Sequence, residues 1–188
     1  MVDIKISKDP ELLKQYYDLR EDKYRSKLGF ENYNGQEASY DKSGDILLAT
    51  FNGLVLAGAR VDFSDKNTIM CNENPEAGFL YKDFIKKFDP TFKDDDVYSE
   101  VCGLVIDEKM GSKFFIKFLN KLSDYSIAKK ARYIVGIAYP ELREIYSVVF
   151  VKLGYNFKIY DNNEFNSKNS YGPNKFNLKF SPLVIKNY

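Results

Sequence analysis

The stretch VYSEVCGLVIDEKMGSKFFIKFL, residues 97–119, carries the residue types best placed to do chemistry. It opens as an alternating strand, turns at a lone glycine and continues as an amphipathic helix. Glu100, near the middle of the strand, needs a partner or a task if the strand packs, because a buried carboxylate is costly unless it is hydrogen-bonded or paired. Burial raises a glutamate's pKa, and such a group can accept a proton from an amine, directly or through water. The alternative is an exposed or salt-bridged glutamate. In the helix, Phe114, Phe115, Phe118, Leu119 and Leu122 form an apolar stripe, with Lys113, Lys117 and Lys121 recurring every four residues beside it. A turn feeding a helix N-terminus offers backbone N–H groups and the positive end of the helix dipole, which suits a phosphate. Gly111 lets that backbone approach a ligand closely. Any βα unit needs a turn, however, and lysines solvate outer faces, so these residues alone leave both readings open. Cys102, without a histidine to activate it, reads as a packing residue rather than a nucleophile.

The absence of histidine and tryptophan narrows the chemistry. Ser–His and Cys–His pairs and histidine-based metal sites are excluded, leaving a carboxylate, tyrosine, lysine, cysteine or held water as general base. Cys71 and Cys102 lack metal-ligand spacing and make no disulfide framework. A net charge of +1 gives no global reason to expect nucleic acid or membrane binding. No run approaches the ~20 apolar residues of a membrane span, and MVDIKISKDPELL does not read as a leader. The expectation is a cytoplasmic protein with no metal.

These residues have to be positioned by a fold. The 188 residues, 44% hydrophobic and 16% aromatic, suit a single domain spanning 1–188 with a continuous core. DIKIS reads as an opening strand. The next segment predicts a helix capped by Asp9, started by Pro10 and stopped at Gly29. FENYNGQEASYDKSGD reads as a loop of about sixteen residues, long enough for its aromatic and acidic content to favour a function. ILLATFNGLVLAGARVDF predicts a hairpin about Asn52-Gly53. A short helix around FLYKDFIKKF follows, then the strand–turn–helix. ARYIVGIAY reads as a strand, and a helix runs from Pro140 to Gly154. NFKIYD and KFNLKFSPLVI read as closing strands. The order β–α–β–β–(α)–β–α–β–α–β–β predicts an α/β (α+β) domain, a mixed central sheet flanked by helices.

Four segments carry a resemblance to a known family: LREDKYRSKLGF, EASYDKSGDILLATFNGLVLAGARV, YSEVCGLVID and YSVVFVKLGY. Together they are similar to the Gcn5-related N-acetyltransferase (GNAT) superfamily, and within it to the acyl-homoserine lactone (autoinducer) synthases. The resemblance implies an acyl-CoA N-acyltransferase fold and an acyl donor that is an acyl-CoA or an acyl carrier protein. The acceptor it implies is a small amine, S-adenosylmethionine or an amino acid. Arg20, Tyr24, Phe30, Asp41, Arg60 and Cys102 would then line the amine-substrate site, and Glu100 would promote amine deprotonation. The donor would lie along Val101, Leu104, Val105 and Ile106, with its phosphates at Met110, Gly111, Ser112 and Lys113. The lysine stripe gains a second reading as a docking surface for an acidic carrier protein. The chain departs from the family at Gly103 and Ala38, where the synthases carry an arginine and an aspartate, at Phe30 in place of tryptophan, and in a phosphate turn that keeps only Gly111. Arg20 and Arg60 could instead be structural partners of Asp41, Asp45 or Glu100. Phe30 could staple the loop to the core. An acetyl-CoA-dependent acetyltransferase and a non-catalytic ligand-binding domain remain as alternative functions.

Overall fold

The computed structural model describes residues 1–66, 80–160 and 181–187. Among them lie seven strands, four α-helices and a 3-10 turn: β1 (Asp3–Ile6), α1 (Pro10–Leu28), the turn Ser39–Asp41, β2 (Asp45–Phe51), β3 (Leu54–Phe63), α2 (Tyr81–Phe88), β4 (Tyr98–Ile106), α3 (Ser112–Ala128), β5 (Tyr133–Ala138), α4 (Pro140–Lys152), β6 (Asn156–Ile159) and β7 (Ser181–Lys186). The strands form one mixed sheet in the order β1-β2-β3-β4-β5-β7-β6. The expected closing strand KFNLKFSPLVI falls partly on residues outside the described ones; its end is β7.

Local chemistry sets the element ends. The Asp9 carboxylate accepts from the amides of Glu11 and Leu12, two of the donors that a helix start leaves unsatisfied, and Gly29 ends α1 in a left-handed conformation. Asn52 and Gly53 both take positive φ, 49° and 77°, as the tightest hairpin turn requires. Gln15 of α1 holds this turn by donating to the Gly53 carbonyl and accepting from the Val55 amide.

The described residues divide into two compact units, and the division falls inside β4, between Glu100 and Val101. The first unit comprises residues 1–62, 66 and 101–125. Here β1, β2 and β3 pair antiparallel, with Ile46 opposite Arg60 and Leu48 opposite Gly58. Tyr16, Ile46, Leu48 and Val105 make its core, joined by Leu12, Leu13, Tyr17, Leu19 and Tyr24 of α1. Those α1 residues recur at helical spacing, so one face of the helix is spent on the sheet.

The second unit comprises residues 63–65, 80–100, 126–160 and 181–187. β7 lies antiparallel between β5 and β6. Tyr81, Phe84, Ile85, Phe92, Tyr98, Tyr133, Val135, Tyr160 and Val184 form its core. At the end of α2 the Asp89 carboxylate gathers Lys186 at 2.7 Å, the Tyr133 hydroxyl at 2.7 Å and the Thr91 hydroxyl at 2.7 Å, with Arg132 at 3.7 Å. Hydrogen bonds from Lys186, Thr91 and Tyr133 hold the Asp89 carboxyl well below the usual aspartate range.

A depressed folded pKa stabilises the fold at pH values above the unfolded pKa, and the contribution is lost as pH falls through the folded value. Asp89→Asn should therefore lower stability by about 2 kcal/mol at neutral pH. The deficit should shrink as pH falls below about 4, where the unfolded aspartate takes up its proton. Urea midpoints of both proteins between neutral and strongly acidic pH measure this; a pH-independent deficit would assign the loss to packing alone.

Candidate active site

On α1 the spacing i, i+1, i+4 brings Tyr16, Tyr17 and Arg20 to neighbouring positions on the helix surface. The Arg20 guanidinium lies 5.2 Å from the Tyr16 ring centroid and 4.9 Å from that of Tyr17. It meets Asp41 in a two-pronged ion pair, Nη1 to Oδ1 at 3.0 Å and Nη2 to Oδ2 at 2.8 Å. Nη2 also donates to the carbonyls of Gly35 and Gln36. Asp41 Oδ2 accepts from the Ala38 amide at 2.9 Å, which fixes the 3-10 turn that carries it. Burial works against the charge on Arg20, but the hydrogen bonds it donates to Asp41 and the charges around it more than offset this, and the pKa is raised. The long loop after α1 is thereby closed onto the helix by a pair whose side chains are 4% and 1% exposed.

A second buried pair lies on β3. Arg60 and Asp62 are two residues apart on one strand and so share a face. Arg60 Nη2 stands 2.7 Å from Asp62 Oδ2, and both side chains are fully buried. The Tyr40 ring covers the Arg60 guanidinium at 4.6 Å, and Gly44 packs so closely over both residues that a Cβ there would come within 3 Å of each. Burial, with smaller pushes from Asp41 and Asp45, raises the Asp62 carboxyl above the usual aspartate range against the pull of Arg60.

The structure thus brings Arg20 and Asp41 together and gives Arg60 a different partner, Asp62, which was absent from the expected set. The signal for it was present: opposite charges at i and i+2 in the otherwise apolar run LVLAGARVDF imply an internal pair. Tyr24 and Phe30 are also brought together, with ring centroids 5.8 Å apart, and both pack against Tyr33. Phe30 is buried, as a staple between loop and helix would be.

Glu100, in the second unit, is fully buried. The Tyr81 hydroxyl at the start of α2 donates to its Oε1 at 3.1 Å. In the first unit, β4 continues through Gly103, which has φ of +62° in mid-strand. This left-handed residue explains why the apolar alternation of the strand is imperfect, since one such residue breaks the two-residue period. The Tyr16 hydroxyl donates to the Gly103 carbonyl at 2.9 Å, and a Cβ at Gly103 would lie 2.5 Å from that hydroxyl and 3.4 Å from Arg20 Nη1. Glycine is required there by backbone and by space. Of the other β4 positions, Val105 is buried, and Val101, Cys102, Leu104 and Ile106 are half-buried.

The turn into α3 is built by Asp107, whose side chain accepts from the Lys109 amide and whose carbonyl accepts from Met110. The Gly111 carbonyl accepts from Phe114 and Phe115, while the amides of Gly111, Ser112 and Lys113 donate to no described group. Met110 is half-buried, and Gly111, Ser112 and Lys113 are exposed. Lys113 and Lys117 are exposed; Lys121, also exposed, pairs with Asp124. Among the described residues no group of three or more His, Cys, Asp or Glu could hold a metal, and no helix is long and apolar enough to cross a membrane.

No protein-family model matches the chain, and no curated protein matches it in sequence. Solved structures do match along its whole length. The acyl-homoserine lactone synthase LasI aligns with a TM-score of 0.61 at 13% identity, over 99% of this chain and 89% of that one. FeeM, an N-acyl amino acid synthase from uncultured soil microbes, aligns at 0.62 and 10% identity, over 100% and 91%. An N-acetyltransferase from Staphylococcus aureus Mu50 aligns at 0.59 and 15% identity, over 100% and 98%. The chain therefore has the GNAT-like, acyl-CoA N-acyltransferase fold shared by these synthases and acetyltransferases.

Removing one member of a buried pair leaves its partner's charge uncompensated, at a cost of about 3–5 kcal/mol, whereas replacing both with apolar residues of similar volume is often neutral. Asp41→Asn should lose about that much in urea denaturation, and the double variant Arg20→Met, Asp41→Leu should recover most of it. A double variant no more stable than Asp41→Asn would show that the hydrogen bonds to Gly35 and Gln36, rather than charge pairing, hold the loop.

Proposed function

We propose that this chain is an N-acyltransferase that moves an acyl group from a thioester to the amine of a small substrate. The observation that carries this reading is the course of β4: a fully buried Glu100 is followed three residues later by the left-handed Gly103, and the strand then runs into the N-terminus of α3. A buried carboxylate three residues from a left-handed strand position supports proton transfer beside a ligand that lies along the backbone. The fold supports the same class of reaction.

In the proposed reaction the amine nitrogen attacks the thioester carbonyl carbon and a C–N bond forms. Glu100 takes the proton that the nitrogen sheds, directly or through water. The tetrahedral intermediate collapses, the C–S bond breaks, and the departing thiolate takes the proton that Glu100 holds, which restores the carboxylate. No covalent enzyme intermediate is needed. The donor's chain lies along Val101, Leu104, Val105 and Ile106. Its phosphates meet the amides of Gly111, Ser112 and Lys113, reinforced by the dipole of a seventeen-residue helix.

The finer reading is an autoinducer-synthase-like enzyme with a carrier-protein or CoA thioester as donor and S-adenosylmethionine or an amino acid as acceptor. LasI and FeeM, an acyl-homoserine lactone synthase and an N-acyl amino acid synthase, support this choice. The exposed Lys113 and Lys117 fit an acidic carrier. Tyr24, Phe30 and Cys102 are retained as acceptor-side positions, while Arg20, Asp41 and Arg60 shape that side through their buried pairs rather than as free charges. Acetyl-CoA-dependent transfer is the second reading, favoured by the acetyltransferase of the same fold.

Glu100→Gln should lower the rate of amine-dependent thiol release by about 10²–10⁴-fold, measured with acetyl-CoA and longer acyl-CoAs against S-adenosylmethionine and free amino acids. Unchanged turnover would remove Glu100 from the mechanism. In thermal-shift assays, a true ligand at about 100 times its Kd should add about 2.7 kcal/mol. Stabilisation by an acyl-CoA without thiol release under any acceptor would make the protein a binding module.

A further inference from the structure

The helix α2 is amphipathic in the strict sense: Tyr81, Phe84 and Ile85 are buried, while Lys82, Asp83, Lys86 and Lys87 face solvent. Its buried face therefore carries one hydroxyl, that of Tyr81, placed in the first turn. That hydroxyl donates to Glu100 Oε1 at 3.1 Å, and both side chains are fully buried. Several other hydroxyls and charges of the second unit have contacts of their own. On β5 the Tyr133 hydroxyl donates to Asp89, and after β6 the Tyr160 hydroxyl donates to the Phe84 carbonyl. On β4 itself the Ser99 hydroxyl meets Ser126. Lys186 pairs with Asp89, and Arg132 pairs with Asp96 at 2.8 Å and lies 3.7 Å from Asp89.

We propose that Tyr81 is a positioning residue for Glu100, its phenol fixing the carboxylate's orientation and favouring the ionised form that accepts a proton. The role rests on the reading of Glu100 as the group that deprotonates the acceptor amine. The physical argument is one of opposing effects. Burial favours the neutral acid, which cannot act as a base, and a hydrogen bond donated to the anion favours the charged form. A phenol, ordinarily titrating near 10, stays protonated across the range in which a carboxylate ionises, so it serves as a fixed donor there. Tyr81 also supplies ring bulk to the core, so its hydroxyl can be removed with little change of volume.

The test uses the full chain with carbon-13 at the glutamate side-chain carboxyls. The Glu100 signal is the one missing from Glu100→Gln. Tyr81→Phe should raise the titration midpoint of that carbon by about one pH unit, a tenfold change in proton affinity. Phe84→Leu, on the same helix face, should cost stability without moving the midpoint. In thiol-release assays with acetyl-CoA or octanoyl-CoA and S-adenosylmethionine, Tyr81→Phe should shift the acidic limb of kcat/KM upward by the same amount and lower kcat at neutral pH, with KM unchanged. An identical Glu100 midpoint in Tyr81→Phe overturns the proposal. A shifted midpoint with an unshifted rate profile would instead remove Glu100 from the reaction, and the positioning role would fall with the functional reading.

Discussion

Taking the Arg20 guanidinium out of water is the constraint on which the first unit depends. A charge at that depth persists only when it is paired and hydrogen-bonded, and the chain meets the demand with Asp41, two loop carbonyls and two flanking tyrosine rings. Each partner fixes something else. Asp41 orders the turn that carries Tyr40, Tyr40 covers Arg60, and Tyr16 reaches past the guanidinium to hold the Gly103 carbonyl. The long, turn-rich loop after α1 is therefore folded around one cation.

The second unit solves the inverse problem, how to hold carboxylates inside an aromatic core. Asp89 is held at the end of α2 by lysine, threonine and tyrosine, and its ionised form is strongly favoured. Glu100 has the Tyr81 phenol, a neutral donor. The difference in partners follows from place: Asp89 borders partly exposed Lys186 and Arg132, whereas Glu100 sits in a fully buried stretch of β4 with Ser99. Ion pairing suits an anchor, and a neutral donor adds no opposing charge to fix a carboxylate in its ionised form.

Elements governed by neighbours in sequence were legible from it. Asp9, Pro10 and Gly29 bound α1, Asn52-Gly53 makes the hairpin, and Pro140 opens α4, each through backbone chemistry completed within a few residues. The element order and mixed sheet followed from the same signals. Partnerships formed across the fold were harder to read. Arg20 and Asp41 are 21 residues apart, and Tyr81 and Glu100 are 19 apart. Nothing in local periodicity selects Asp41 over the other acids, or Tyr81 over the other tyrosines. Gly103, which reads as a missing arginine, is a residue the backbone demands, because its φ and the Tyr16 hydroxyl exclude a side chain. Arg60 and Asp62 fall between these cases: their alternation announces a shared face, but only the packed strand shows that the face is interior.

Asp62 has a further consequence for a chain without histidine. Histidine is the side chain whose ordinary titration spans mildly acidic to neutral pH, and this sequence has none. Burial inside β3 raises the Asp62 carboxyl toward that range against the pull of Arg60. The electrostatics of this pair respond little to salt, because buried charges are screened far less than exposed ones.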